Sequence, residues 1–224
     1  LAAEEIETVP VPLAATALEV TAGARRLARA RAYAEGLVEL QDAASQAVVE
    51  ALPLPRGARV LDFCAGGGGK TLALAARLGG AVHAHDAVPR RMADLPARAA
   101  RAGAVVRLLA APEAAAPFDL VLCDVPCSGS GAWRRDPDAK WRLTEDGLAR
   151  LTSAQDAILD RAAGLVRPGG VLAYATCSVL ADENAARIDA FLGRAAGWRL
   201  RAQRRWLPGE GGDGFGLAIL TREQ

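Results

Sequence analysis

Two short stretches, Asp124-Val125-Pro126-Cys127 and Ala175-Thr176-Cys177-Ser178, each put a cysteine where an apolar strand-like run gives way to a turn. The carboxyl ends of strands are where α/β enzymes gather reactive side chains, so the pair points to thiol chemistry. A thiol attacks as its thiolate, and an ordinary cysteine with a pKa of about 8.5 is only slightly ionised at neutral pH. Nearby positive charge or a base is therefore expected, and Lys70 is the cation the sequence offers. Lys70 closes a third stretch, Leu61 to Thr71, which runs from an apolar strand through Gly66-Gly67-Gly68-Gly69 into a helix. A glycine turn opening a helix is a seat for a nucleotide-like ligand.

That turn fits neither of two common phosphate grips. A P-loop needs a glycine five residues before Gly69, where Cys64 stands, although Leu120-Val121-Leu122-Cys123-Asp124 superficially supplies the accompanying strand and aspartate of an NTPase. The dinucleotide fingerprint needs a third glycine at position 71, which is Thr71. What remains is a turn that lets backbone approach a nucleoside cofactor. Asp86, at the end of the next strand, is placed to accept hydrogen bonds from ribose hydroxyls. A zinc-dependent cytosine deaminase would need Pro-Cys-x-x-Cys, but Pro126-Cys127-Ser128-Gly129-Ser130 ends in serine.

Taken with Glu35 to Asp42, Asp124 to Gly131, Arg134-Arg135-Asp136-Pro137-Asp138 with Trp141, and Tyr174 to Ser178 followed by Glu183-Asn184, these motifs resemble a known family. It is the RNA cytosine-C5 methyltransferases of the Nop/Sun type, in particular the bacterial ribosomal RNA enzymes called Sun or Fmu. The resemblance implies S-adenosyl-L-methionine as cofactor and RNA, of the ribosomal type, as substrate. It implies a Rossmann-like class I methyltransferase fold, an α/β architecture whose mostly parallel seven-stranded sheet has an antiparallel last strand. Cofactor contact falls to Cys64, Ala65, Gly66, Gly67, Gly68, Gly69, Lys70, Asp86 and Asp124. Spacing alone does not choose the nucleophile between Cys127 and Cys177. The family pattern implies Cys177, with Cys127 assisting product release and Asp124 and Lys70 completing the catalytic set.

Two departures stand out. Where family members carry Ala-Pro-Gly-Gly-Lys-Thr this chain reads Gly66-Gly67-Gly68-Gly69-Lys70-Thr71, a more flexible loop. Where they carry an aspartate after the third strand, this chain has Leu109-Ala110-Ala111. Ala110 keeps open an alternative, a factor that binds RNA on the same fold with impaired cofactor binding. A transfer RNA target is a further alternative.

The elements that must position these groups follow from periodicity. Short apolar runs predict strands at 58–63, 81–85, 104–109, 118–123 and 170–176, and amphipathic runs predict helices at 69–78, 89–102, 153–166 and 182–193. Residues 198–206 and 214–221 read as a terminal hairpin. Residues 126–150 form a long polar connection whose Arg134, Arg135, Lys140 and Trp141 offer phosphate contacts and a stacking face for RNA. Ahead of the catalytic domain, 53–224, residues 1–52 read as an extension, a remnant of an RNA-binding subdomain. In it Thr16 to Val20 and Leu37 to Leu40 fit strands, Arg25 to Arg31 a basic turn or helix, and Asp42 a helix cap for 43–52.

Composition narrows the rest. A net charge of +1 over 224 residues makes no global case for a polyanion partner, so local patches must carry it. All but Lys70 and Lys140 of the 27 basic residues are arginine, which suits forked phosphate contacts and also fits an Ala- and Arg-rich genome. No apolar run reaches the length of a membrane span, and no secretory start is visible, so a monomeric cytoplasmic protein is expected. Four cysteines without Cys-x-x-Cys spacing predict neither a metal site nor a disulfide.

Overall fold

The computed structural model describes residues 1–224. In chain order the elements are β1 (Glu7–Pro10), β2 (Leu18–Ala22), α1 (Arg31–Ala34), α2 (Ala43–Glu50), β3 (Val60–Asp62), α3 (Gly69–Leu78), β4 (Val82–Ala84) and α4 (Leu95–Arg101). They continue with β5 (Val106–Leu108), β6 (Phe118–Asp124), α5 (Ala139–Arg142), α6 (Glu145–Ala163), β7 (Val166–Thr176), α7 (Ala185–Arg194), β8 (Trp198–Trp206) and β9 (Phe215–Arg222). β1 and β2 form a separate antiparallel hairpin. The other seven strands make one sheet in the order β5-β4-β3-β6-β7-β9-β8. Its first five strands are parallel, and β9, last in the chain, runs antiparallel between β7 and β8.

Alternation along the central strands explains why this sheet is covered on both faces. Val60, Leu120, Leu122, Ala173, Ala175 and Leu217 point to one side, where Val48 and Val49 of α2 and Leu74 of α3 cover them. Leu61, Val121, Cys123, Leu172 and Tyr174 point to the other, against Leu159 of α6 and Ile188 and Phe191 of α7. Helix α2 lies before residue 53 yet is part of this main core. Upstream of it only a small cluster of Ile6, Leu27 and Ala30 is buried on its own.

Several expected elements are differently bounded. The helix expected over 153–166 begins at Glu145, where Thr144 caps it by accepting from Gly147 N, and the strand expected at 170 starts at Val166. Pro168-Gly169-Gly170 is therefore an arch within β7, where the β6–β7 register slips between Phe118 and Leu120, and a bulge is where a strand tolerates proline. The helix expected over 89–102 splits into a 3₁₀ turn, Pro89–Met92, and α4, because Pro96 lacks the N–H that a helix interior needs and fits only in a first turn. Residues 37–40 form no strand: Leu37 and Leu40 are exposed, and Glu39 is tied down by arginines instead. No helix is long and apolar enough to cross a membrane.

Strand β3 is bound to α3 by a buried hydrogen bond from Thr71 Oγ1 to Asp62 Oδ2, 2.7 Å. Burial pushes the Asp62 carboxyl from 3.8 up to about 7, against the Thr71 hydroxyl and with help from neighbouring Asp124 and Asp86. Between those two values the folded chain holds a proton that the unfolded chain has released, so stability falls as pH rises through that window. Asp62→Asn removes the loss, up to about 4 kcal/mol. Thermal unfolding should therefore show the variant gaining on the wild-type chain from pH 4 to pH 8 and no further above it; parallel curves would reject this account of Asp62.

Candidate active site

The parallel strands deliver four chemically useful ends to one edge of the sheet. β3 runs into the glycine turn, β4 into Asp86, β6 into Asp124 and Pro126-Cys127, and β7 into Thr176-Cys177. Asp124 and Ala175 are register partners, so the two cysteine-bearing turns leave from adjacent strands. Their sulfurs lie 3.3 Å apart, both half-buried and neither in a disulfide.

A set of buried polar groups holds the two turns. Glu183, fully buried, accepts from Ser128 N at 2.8 Å and Ser128 Oγ at 2.5 Å, and from Gln155 Nε2 at 3.0 Å. Gln155 also donates to Pro126 O at 3.0 Å, so the residues on either side of Cys127 are gripped from α6 and from the segment before α7. Asn184 does the same for the second turn, accepting from Thr176 Oγ1 at 2.8 Å and donating to Ser178 O and Leu180 O. Gly131 N donates to Cys177 O, and Gly214 N to Gly131 O. A Cβ on Gly131 would sit 2.1 Å from Gly214 O, so only glycine lets these backbones cross. Glu183 and Asn184 were visible in the sequence only as part of a motif, and Gln155 carried no signal, since its partners lie 28 and 29 residues away.

Electrostatics separates the two thiols. Cys177 is held below its ordinary value chiefly by the hydrogen bond Cys127 gives it, against burial and the charge of Asp124 and with a smaller contribution from Lys70. Cys127 is pushed well up by being that donor and by its burial. The cation expected to activate the thiol is thus mostly spoken for: Lys70 Nζ pairs with Asp124 Oδ2 at 2.7 Å and lies 4.7 Å from the centre of the Phe215 ring. Cys123 is fully buried, and burial drives its thiol up, as it does that of Cys64, where Asp62, Asp124 and Asp86 add to the effect. Neither is a nucleophile.

The turn and Asp86 fit a nucleoside cofactor. Asp86 accepts from Gly66 N at 3.0 Å and from Val88 N at 2.8 Å, which leaves lone pairs on both oxygens for hydroxyl donors. Space is open beside Gly66, where an added Cβ would meet nothing within 4 Å. Asp62 Oδ1, behind the turn, is buried without a partner, a polar atom left for a ligand group. At the position of the missing aspartate, Ala110 is exposed and the neighbouring Leu109 carbonyl lies against His85 Nδ1 at 2.9 Å.

The RNA candidates divide. Arg134 pairs with Asp42 and Asp213, and Arg135 with Asp213, whose side chain is fully buried. These two arginines neutralise a buried acid and pin the loop onto the start of α2, although about half of each side chain stays exposed. Trp141 is 78% exposed, with Lys140 Nζ 4.9 Å from its ring centre. The strip that sequence reading passed over is edge strand β8, which carries Arg199, Arg201, Arg204 and Arg205 and no acidic residue. Arginines such as Arg161, Arg167, Arg187 and Arg194 each meet a carboxylate, whereas these four meet none. β8 ends at Trp206, paired with Phe215 under Lys70, so the strip reaches the catalytic edge.

Comparison with known proteins agrees with this geometry. A family model described as 16S rRNA methyltransferase RsmB/F matches residues 49–212. Ribosomal RNA small subunit methyltransferase B of Klebsiella pneumoniae is 37% identical over 208 residues, covering 86% of this chain and 48% of its own length. The same-named protein of Pseudomonas syringae pv. tomato is 40% identical over 177 residues, 75% of this chain and 39% of that protein. The chain thus spans about half the length of the curated relatives it matches. A solved structure titled PH0851 superposes over 100% of this chain and 55% of its own, with a TM-score of 0.92 and 31% identity. With the paired thiols and the glycine turn inside the matched region, the chain belongs to the 16S rRNA methyltransferase RsmB/F family.

Proposed function

We propose that this chain methylates C5 of cytosine in RNA, small-subunit ribosomal RNA by analogy with its named relatives, in the cytoplasm and with S-adenosyl-L-methionine as donor. The observation that carries the reading is the contact between Cys127 and Cys177, 3.3 Å apart at adjacent strand ends, with one thiol lowered by the other. C5 of cytosine is a poor nucleophile until something adds to the ring. The Cys177 thiolate forms a bond to C6, and the C5–C6 electron pair becomes available at C5. Asp124, beside Lys70, is the group that passes a proton to N3 as the C6–S bond forms, which neutralises the electron density that addition pushes onto the ring, and its carboxylate then accepts from the N3–H and the exocyclic amine. Bound at the glycine turn and Asp86, the cofactor supplies an electrophilic methyl group.

Release requires loss of the C5 proton and cleavage of the C6–S bond, which restores the C5–C6 double bond and returns Cys177 as thiolate. Cys127 is the group that assists this step: once Cys177 is bonded to carbon, Cys127 gives its thiol proton to solvent, and as thiolate it takes the proton from C5 while the C6–S bond breaks beside it. Support for RNA as the substrate comes from the uncompensated strip on β8 and the exposed Trp141 beside the loop. Arg199 to Arg205 spans about 20 Å of strand, enough to follow several phosphates of a single strand. Reaching a pocket at the strand ends requires the target base to be unstacked.

Three expected outcomes test the reading. Cys177→Ala should abolish both radiolabelled methyl transfer to RNA and the covalent adduct on a denaturing gel, while Cys127→Ala should transfer methyl and accumulate the adduct; the opposite pattern would exchange their roles. Asp86→Ala should weaken S-adenosylmethionine binding in calorimetry, and an unchanged dissociation constant would remove Asp86 from the site. Arg201→Gln with Arg204→Gln should weaken RNA binding and reduce its log–log salt slope by about 1.4, at about 0.7 per lost single-strand phosphate contact.

A further inference from the structure

The tetraglycine turn poses a physical problem that the reaction itself does not solve. Gly66 and Gly68 adopt left-handed φ values of 51° and 85°, while Gly67 between them does not. Three consecutive residues without side chains sample many conformations, and each one ordered on ligand binding costs affinity. The resembled family carries proline where Gly67 stands, so its turn is restricted in the backbone itself. This chain has lost that restriction at the place where the cofactor must be held.

Something else restrains the turn. Arg98, on α4, donates from its guanidinium to Gly67 O, and the same guanidinium nitrogen lies 3.4 Å from where a Cβ on Gly67 would sit. The guanidinium is itself fixed from behind: Arg98 Nε donates to Glu39 Oε2 at 3.3 Å, and its side chain is only 21% exposed. Glu39 is held in turn by Arg101 at 2.6 Å, whose guanidinium lies 4.1 Å from the Tyr33 ring centre. Gly67 N donates no hydrogen bond of its own, so its carbonyl is the turn's attachment at that residue. On the other side Asp86 takes Gly66 N at 3.0 Å.

We propose that Arg98 is a positioning residue for the cofactor turn, replacing with a side-chain tether the rigidity that proline gives elsewhere in the family. It does not touch the reacting atoms. Its effect is on affinity, because a turn already shaped before the ligand arrives loses less freedom when it binds. The proposal rests on the reading of this turn as an adenosyl site.

The test is calorimetric binding of S-adenosylhomocysteine to four variants, each checked for folding by near-ultraviolet circular dichroism and thermal unfolding. Arg98→Met keeps the aliphatic stem and should raise the dissociation constant about five- to tenfold. Adding Gly67→Pro to Arg98→Met should bring it back to within about twofold of the wild-type value, because proline there sacrifices no hydrogen bond. Gly67→Pro alone should bind at least as tightly as wild type. Arg101→Met loosens Glu39 behind Arg98 but leaves the bond to Gly67 O in place, so it should lose clearly less affinity than Arg98→Met does. Unchanged affinity in Arg98→Met, failure of proline to rescue it, or an equal loss in Arg101→Met would overturn the tether. Absence of binding by the wild-type chain would instead end the adenosyl reading of the turn, and the proposal with it.

Discussion

A sulfur-to-sulfur hydrogen bond, Cys127 to Cys177, is the contact around which this molecule is organised. It assigns unequal proton affinities to two chemically identical side chains, lowering the acceptor and raising the donor. That inequality needs close and lasting approach, and neither turn could hold it alone. Parallel pairing of β6 with β7 sets the separation of the turns, and Glu183, Gln155 and Asn184 fix their shape from behind. Truncating Glu183 would strand the Ser128 N–H and the Gln155 amide in the interior, at about 1–3 kcal/mol for each unpaired group. The polar network is thus what keeps the two thiols in contact.

Charge is handled differently at the two ends of the site. Around the glycine turn, Asp62, Asp86 and Asp124 crowd together and only Lys70 is close enough to pair, which favours a cationic ligand. Along β8 the imbalance is reversed, with guanidiniums and no acid. Between them the 134–135 arginines cancel Asp213 and Asp42 and are structural cross-links first. The small net charge of +1 therefore conceals two separated regions of opposite sign.

How much of this was legible beforehand depended on the range of the interaction. Helix 69–78 matched its expected bounds because Gly68 and Gly79 punctuate it with left-handed conformations that glycine adopts freely. β6 was readable from the apolar run Leu120 to Cys123, buried on both faces. Helix α6 was misjudged at its start because residues 145–152 lie on a largely solvated stretch, and the start of β7 at Val166 was missed because the bulge at Pro168-Gly169-Gly170 uses the residues that a turn would. In the site, the cysteines were visible through their place at strand ends. Their supports were not, because nothing local ties Ser128 to Glu183, 55 residues on. Arg134 and Arg135 show the same limit from the other side: a sequence displays its charges but not which acid, here Asp213, folds back to meet them.

The arginines of β8 also settle how the sheet ends. A nine-residue strand with one row of amide and carbonyl groups unpaired is a template for self-association, and proteins commonly blunt such an edge with charge. A second copy adding its own β8 would bring four guanidiniums against four, with no carboxylate on either strand to offset them. The long border of the sheet thus carries a charge that opposes pairing with a second copy of the same strand.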